Sequence, residues 1–546
     1  MFMSREHQRE ITPSASRLTS IWIVIVAFLS LPLWCQQNPS KEMVGWVPRE
    51  ILERPLTLRQ GVGVVHQKVT TSSVQAQAFY DQGIACLNSY VWIEAARSFN
   101  QALRLDPSLA MAYLGLSDSY IGLQDVAQAA AAFQKAQSLA GKVSERERSW
   151  IDIRALYFTF LANSGDMQKY FAYRKGISDA LAADPNDPFL WILRGFADEG
   201  TPIAHGQNGG VDTIAFYQTA ISLAPDSFVG HHYLAHTFEN TGPMDQALEQ
   251  SALYAKLAPS IPHAHHMHGH ELRMAGRIEE AIAEFRKADE LETAYYRTEN
   301  IPAKYDWHHA HNLQLLAMCY QTKGEMKAAE SAYREAFALP SYSDLADYNR
   351  KVWPEFLLAR GRAQEALEAA QSLIQSRWSL SQFAGHALAG RALLRLGRNS
   401  DAEQEANAAE QQLQQFPKGA SDRFPDAAHV RAEILLRDKK IEEGNAQMNQ
   451  VEEQLLALPG PDSWSATLFQ LESIATLARQ LQDWGLAEST AQKIKDHDPS
   501  YAGGYYALAL SAQHRGDATL AKQYLATADR LWSTSDADIR AQLRLR

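Results

Sequence analysis

The sequence predicts an all-α fold, a solenoid of helix-turn-helix repeats, and three observations carry that prediction. Alanines and aromatics recur at a step of 34 residues along much of the chain. The length of 546 residues exceeds what one compact core holds, so an array or several domains must divide it. With 46% hydrophobic and 21% charged residues, the chain has the balance of a folded protein.

The repeat can be followed residue by residue. Ala95, Phe99 and Ala102 return 34 residues later as Ala129, Phe133 and Ala136. Ala247 and Ala281 show the same step, as do Ala487 and Ala521. Small residues at fixed points let two antiparallel helices approach closely, and the aromatic fills the space between them. A proline such as Pro107 ends the second helix. A small residue at position 8, Ala at 20, an aromatic at 24, Ala at 27 and Pro at 32 is the spacing of the tetratricopeptide (TPR) repeat. That resemblance implies a right-handed superhelix whose first helices line a concave groove.

In this register the first repeat runs from Gly83 to Pro107, and the second through Tyr113, Tyr120, Ala129 and Phe133. A degenerate third closes at Ala180 and Pro185. The fourth carries Trp191, Gly195 and Tyr217 around an insertion from Gly200 to Gly210. Gly242 and Ala247 mark the fifth, Gly269, Ala281 and Phe285 the sixth, and Gly324 and Tyr333 the seventh after an insertion of 14 residues. Gly361 and Gly397 mark the eighth and ninth. The organisation expected is an N-terminal signal or anchor (1–35), an extended segment (36–73), the array (74–412), a linker (413–426) with Pro417 and Pro425, and further TPR-like repeats (427–546).

Arg5, Arg9 and Arg17 precede the apolar run from Ile21 to Trp34, the layout of a secretory signal too short to span a bilayer comfortably. Export to the periplasm or beyond is expected, with an uncleaved inner-membrane anchor as the alternative. Leu33 and Cys35 fit a cleavage site poorly. Cys86 and Cys319 fall in distant repeats, so no disulfide between them is expected. The net charge of −11 argues against nucleic acid as a partner.

Several segments resemble one family of exported bacterial TPR proteins. They include Val69-Thr-Thr-Ser-Ser73, Ala76-Gln-Ala-Phe-Tyr-Asp-Gln-Gly83, Ser144-Glu-Arg-Glu-Arg148 and Pro262-His-Ala-His-His-Met-His-Gly-His270. Family members typically show Pro-His-Ala-x-His-Met-Pro-Ser-His at the last of these, preceded by a His-x-x-x-His helix. Here His268-Gly269 replaces Pro-Ser, and a common family histidine near the first repeat is absent from Leu87-Asn-Ser-Tyr90. The resemblance covers roughly residues 60–340 and implies the fold and export, with no particular activity.

Eleven of the 18 histidines lie between residues 231 and 311. His232 and His236 stand at positions 5 and 9 of the fifth repeat, and His266 and His270 at the same positions of the sixth. The family fold implies that positions 2, 5, 9 and 12 face the groove, which adds His263, His311 and Glu239. Residues i and i+4 share a helix face about 6 Å apart, the spacing with which a His-x-x-x-His pair chelates one ion. Helices packed about 8–10 Å apart let imidazoles of two repeats converge. Such a set suits a divalent Zn, Fe, Mn, Ni or Cu ion, and more than four candidate ligands leave room for two. Asp306, His308 and His309 are expected near the mouth, while His231, His265 and His268 are expected to pack between helices. The same imidazoles also suit a polar or pH-sensitive groove.

Other signals fail. His270-Glu271 begins a zincin pattern, but Met274 stands where its second histidine belongs. Gly206 to Gly210 lacks the Lys and Ser/Thr of a phosphate loop, and no Gly-x-Ser-x-Gly elbow occurs. Two readings follow: an extracytoplasmic scaffold that takes a protein or peptide in the concave groove, or a metal-dependent hydrolase or oxidoreductase sited in repeats five to seven.

Overall fold

A computed structural model describes residues 47–544, except 164, 200–205 and 342. The expected signal or anchor, residues 1–35, lies outside the described residues. The fold is all-α, a TPR helix-turn-helix solenoid with no strand among the described residues. After a short N-terminal turn (Arg49–Leu52), repeats one to three supply α1 (Val74–Leu87), α2 (Trp92–Leu105), α3 (Ala110–Gly122), α4 (Val126–Leu139), α5 (Glu145–Ala162) and α6 (Met167–Ala183). Repeats four to six supply α7 (Pro188–Ala197), α8 (Ile214–Leu223), α9 (Val229–Thr241), α10 (Met244–Leu257), α11 (Pro262–Met274) and α12 (Ile278–Glu299). Repeat seven is α13 (Trp307–Thr322) and α14 (Met326–Ala338). Then come α15 (Asp344–Tyr348), α16 (Val352–Ala359), α17 (Ala363–Ile374), α18 (Ser379–Arg395) and α19 (Asn399–Leu413). The C-terminal third adds α20 (Asp426–Arg437), α21 (Ile441–Leu456), α22 (Pro461–Gln480), α23 (Trp484–His497), α24 (Ala502–His514), α25 (Ala518–Leu531) and α26 (Ala537–Gln542).

Local chemistry sets the helix ends. Ser144 and Glu147 form a reciprocal capping box on α5, and Asp187 caps α7 ahead of Pro188. Within repeats, the turn from first to second helix passes through one left-handed residue: Gly242, Gly276, Gly324, Gly361, Gly397 or Gly516 in six of them. Tyr90, at φ 57°, holds the same place between α1 and α2 although it carries a side chain. The predicted spacer residues do what their size requires. A Cβ at Gly195 would enter the Tyr217 ring, and one at Gly83 the ring of Phe99.

The 14-residue insertion before repeat seven differs from a simple loop. Most of it extends α12 to Glu299, because Ala281, Phe285, Ala288, Glu292 and Tyr296 keep a helical stripe buried. The segment expected to be a linker is packed as well: Phe416 and Phe424 close on Phe383 with ring centroids 5.7 and 6.4 Å away. Cys86 and Cys319 are buried free thiols.

The coil is drawn shut at both ends. The extended strap of residues 55–73 runs across the repeats, with Gly61 carbonyl accepting from Ser260 N at 2.8 Å and Gly63 pressed on Phe228. Arg97 of α2 reaches Glu299 at the end of α12, 2.7 Å away. From the other end, Asp498 pairs with Arg273 of α11 at 2.9 Å and Trp532 Nε1 donates to the Thr322 carbonyl at 3.1 Å. The concave wall of repeats five to seven is therefore covered.

A second buried centre ties α18 to α20. Glu433 accepts from Arg391 at 2.9 Å and from Arg395 at 2.8 Å. Burial alone would raise the Glu433 carboxyl, but the two guanidiniums outweigh it and bring it to about 2. Burial, reinforced by Arg391, pushes His429 down to about 3. Unfolded histidine takes a proton near pH 6.5 that the folded ring refuses, so stability is lost as pH falls from there toward 3. Glu433 adds loss of the same sign below about pH 4.3. Thermal melts are expected to fall between pH 7 and pH 4, with His429→Asn flattening that slope. Glu433→Ala, which strands two partly buried cations, is expected to cost about 3–5 kcal/mol in a urea titration.

Candidate metal centre

Three first helices meet at the middle of the coil. α9 brings His232 and His236, α11 brings His263, His266 and His270, and α13 brings His308 and His311. Pro262 at the first position of α11 sets its start, so its three histidines fall one turn apart on one face. α13 begins before the repeat boundary because Asp306 caps it, accepting from His308 N at 3.0 Å. That early start puts His308 one turn before His311.

These rings are withdrawn from water except His311, whose side chain is 22% exposed. His232 and His266 are 0% exposed, and His263, His270, His236 and His308 at most 7%. Burial pushes His232, His263 and His266 well below the ordinary histidine range, and lowers His311 too. These imidazoles are neutral, the form that binds metal. Tyr90 closes one side, its ring centroid 5.0 Å from both His232 and His263. Trp307 stacks on His311 at 6.0 Å.

Hydrogen-bond chemistry assigns the tautomers. Asn312 donates from its amide to the Phe285 carbonyl, so its oxygen faces His266 Nδ1 at 2.9 Å and that nitrogen carries the proton. His270 Nδ1 faces Glu239 at 3.0 Å, and His311 Nδ1 faces Asp462 at 3.5 Å. Glu239 accepts from His270 Nδ1, and His266, with its proton on Nδ1, keeps its lone pair on Nε2. Among the described residues, Nε2 of His266 and of His270 is buried without a hydrogen-bond partner. His266, His270 and His311 each place a ligand nitrogen within 4.8 Å of the other two. An acceptor on the far nitrogen and an unpartnered near one is how protein imidazoles are held for a metal.

Two further triads share these rings: His232, His236 and His263, and His263, His266 and His308. Glu239 sits between the halves, one oxygen 3.3 Å from His236 Nδ1 and the other 3.0 Å from His270 Nδ1. Burial would raise it, but these two donors hold it down to about 2. A fourth group, Asp289, Glu292 and His309, differs in kind. Burial would lower His309, but Glu292, 2.9 Å away, outweighs it and raises the imidazole above its ordinary value.

The seven residues expected to ligate are brought together, with two differences from expectation. Glu239 orients imidazoles through both oxygens instead of facing an ion. His308 and His309 are buried, not at a mouth, because α12 continues to Glu292 and draws them inward through its carboxylate. His308 and Glu292 belong to the centre and were missed as such; the three-residue spacing of His308 and His311 was the available signal. His231, His265 and His268 pack between helices as expected, bonded to Gln250, Glu284 and Ser251. Glu271, beside His270, is 0% exposed with both oxygens unpartnered, and burial with the nearby Glu239 charge holds its carboxyl well above the usual range.

Comparison with known proteins agrees with the repeat assignment. The tetratricopeptide repeat family profile matches residues 110–142, 262–295 and 310–341. No curated protein sequence matches the chain. Among solved structures, human IFIT1, a dimer with PPP-AAAA, is similar over 84% of this chain and 91% of its own, at 12% identity and a TM-score of 0.37. Yeast Tom70 is similar over 86% and 94%, at 16% identity and a TM-score of 0.33. The Cut9–Hcn1 hetero-tetramer of the APC/C is similar over 86% and 96%, at 10% identity and a TM-score of 0.31.

Proposed function

We propose that this chain is a metal-binding TPR protein whose resident transition ion is held by His266, His270 and His311. The observation that carries this reading is the convergence of one ligand atom from each ring within 4.8 Å, with the Nε2 atoms of His266 and His270 buried and unpartnered and their Nδ1 atoms held by Asn312 and Glu239. An ion satisfies the buried Nε2 atoms of His266 and His270, which have no other partner. Three imidazoles with no direct carboxylate favour Zn or Cu over Mn. Three protein ligands also leave a fourth position free, the arrangement of catalytic zinc sites. The N-terminal arginines and apolar run support an extracytoplasmic location.

Elemental analysis tests this directly. The chain purified without a polyhistidine tag or chelator is expected to carry near-stoichiometric Zn or Cu, and His266→Ala with His270→Ala to lose it. Metal-free protein that takes up neither ion on reconstitution would sink the reading.

Protein or peptide capture keeps an observation of its own, away from the histidines. A cleft of about 1120 Å³ lies along the strap residues His66–Ser73 and the repeat ends at Asp106, Arg146 and Asp187. This cleft, not the covered concave wall, is where a peptide partner would lie. Photo-crosslinking from a probe placed at Ser108 tests it: adducts with peptide support capture, and none from this position refutes it.

A further inference from the structure

The triad of His232, His236 and His263 poses a hydrogen-placement problem that a single ion does not solve. His232 Nδ1 lies 2.7 Å from the Asn88 carbonyl and must donate to it. Its Nε2 therefore bears a lone pair, and this points at His263 Nε2 across 3.1 Å. On the far side of the same ring, His263 Nδ1 faces His308 Nε2, also at 3.1 Å. A neutral His308 gives its one proton to Glu292, which leaves its Nε2 a lone pair too.

A neutral His263 has one proton for two such contacts. Wherever that proton goes, the other contact sets two lone pairs against each other at hydrogen-bond distance. Placing a second proton on His263, or on His308 beside Glu292, settles both contacts but still leaves the buried Nε2 of His236 without a partner. On His263 it would also put a charge on a ring that is 4% exposed and surrounded by imidazoles.

One arrangement satisfies every nitrogen. His263 Nδ1 donates to His308, and His308 Nδ1 donates to Glu292. His232 Nδ1 donates to Asn88, and His236 Nδ1 donates to Glu239. The Nε2 atoms of His232, His236 and His263 are then three converging lone pairs, with ligand nitrogens within 4.8 Å of one another. His266 and His270 show the same pattern, each with its Nδ1 anchored and its Nε2 buried and unpartnered.

We propose that the centre is dinuclear, with a second transition ion held by His232, His236 and His263. The proposal rests on the reading of His266, His270 and His311 as the first site. Glu239 couples the two, since its oxygens accept from one ligand of each triad. An ion on either side polarises the imidazole N–H that Glu239 accepts, so occupancy of one triad alters the basicity of the other. Tyr90, in contact with all three rings of the second triad, is the residue that shields that ion from water.

The test is zinc stoichiometry on the full chain, read by native mass spectrometry after chelation and reconstitution with Zn(II) alone. Wild type is expected to bind two ions. His236→Gln and His270→Gln, each removing one triad's ligand and leaving the other triad whole, are each expected to retain one. Circular dichroism confirms that each variant folds, and the wild-type count stands whether or not they do. A wild-type count of one, or a folded His236→Gln protein that still binds two, overturns the dinuclear inference and leaves the single-ion reading intact. A wild-type count of zero overturns both.

Discussion

Stripping metal from the purified chain is expected to lower the stability of the unit containing repeats five to seven by about 4 kcal/mol, judged against free metal at about 1,000 times its dissociation constant. The size follows from mass action, since an ion bound only by the native state removes that much from the unfolding equilibrium. The structure adds a reason for a steep loss. Without an ion, the buried Nε2 atoms of His236, His266 and His270 have no partner, and each unsatisfied group costs about 1–3 kcal/mol. Calorimetric scans with and without EDTA measure the effect. His266→Ala with His270→Ala should abolish most of the chelator sensitivity while leaving the C-terminal transition in place. Superimposable scans for wild type would contradict a structural role for the ion.

Arg97→Met is expected to open the coil. The Arg97 side chain is 0% exposed and pairs with Glu94 at 3.1 Å and Glu299 at 2.7 Å, while Tyr295 OH donates to Glu94 at 2.7 Å. Removing the guanidinium leaves Glu94, 1% exposed, with the Tyr295 hydroxyl and the distant cation of Arg59 at 3.8 Å. Breaking a buried pair in this way costs about 3–5 kcal/mol. The loss falls where α2 meets α12, so hydrogen exchange should rise in residues 74–105 and 295–305 and stay unchanged beyond residue 400. Release of this repeat also lifts Tyr90 from the histidines, so zinc should leave the variant faster than wild type. Unchanged exchange at those two segments would show that the strap of residues 55–73 alone holds the ring closed.

The histidine centre was legible in part because its ligands obey a local rule. His232 and His236, then His266 and His270, sit at matching positions of successive repeats, and the helix pitch aligns each pair. His311 followed from the same register. His308 and Glu292 did not, because their roles depend on how far α12 runs before the chain turns back. Tyr90 was visible only as a departure from a family pattern, and nothing nearby in the sequence connects it with residues 232 to 263. Glu239 was read as a ligand because its position faces inward; the N–H groups of two imidazoles decide that it orients them instead.

By itself the sequence determined the repeat, its register, the turns and the helix faces, since these depend on side-chain size and backbone preference within about 34 residues. It also determined that imidazoles from three repeats point the same way. Only the tertiary structure decided that the groove is covered, since the contacts that close it join residues 202 and 225 positions apart, Arg97 with Glu299 and Arg273 with Asp498. Closure of this kind is the sum of small repeat-to-repeat rotations, which no single repeat encodes. It turns a row of inward histidines into a largely buried centre where their ring nitrogens converge.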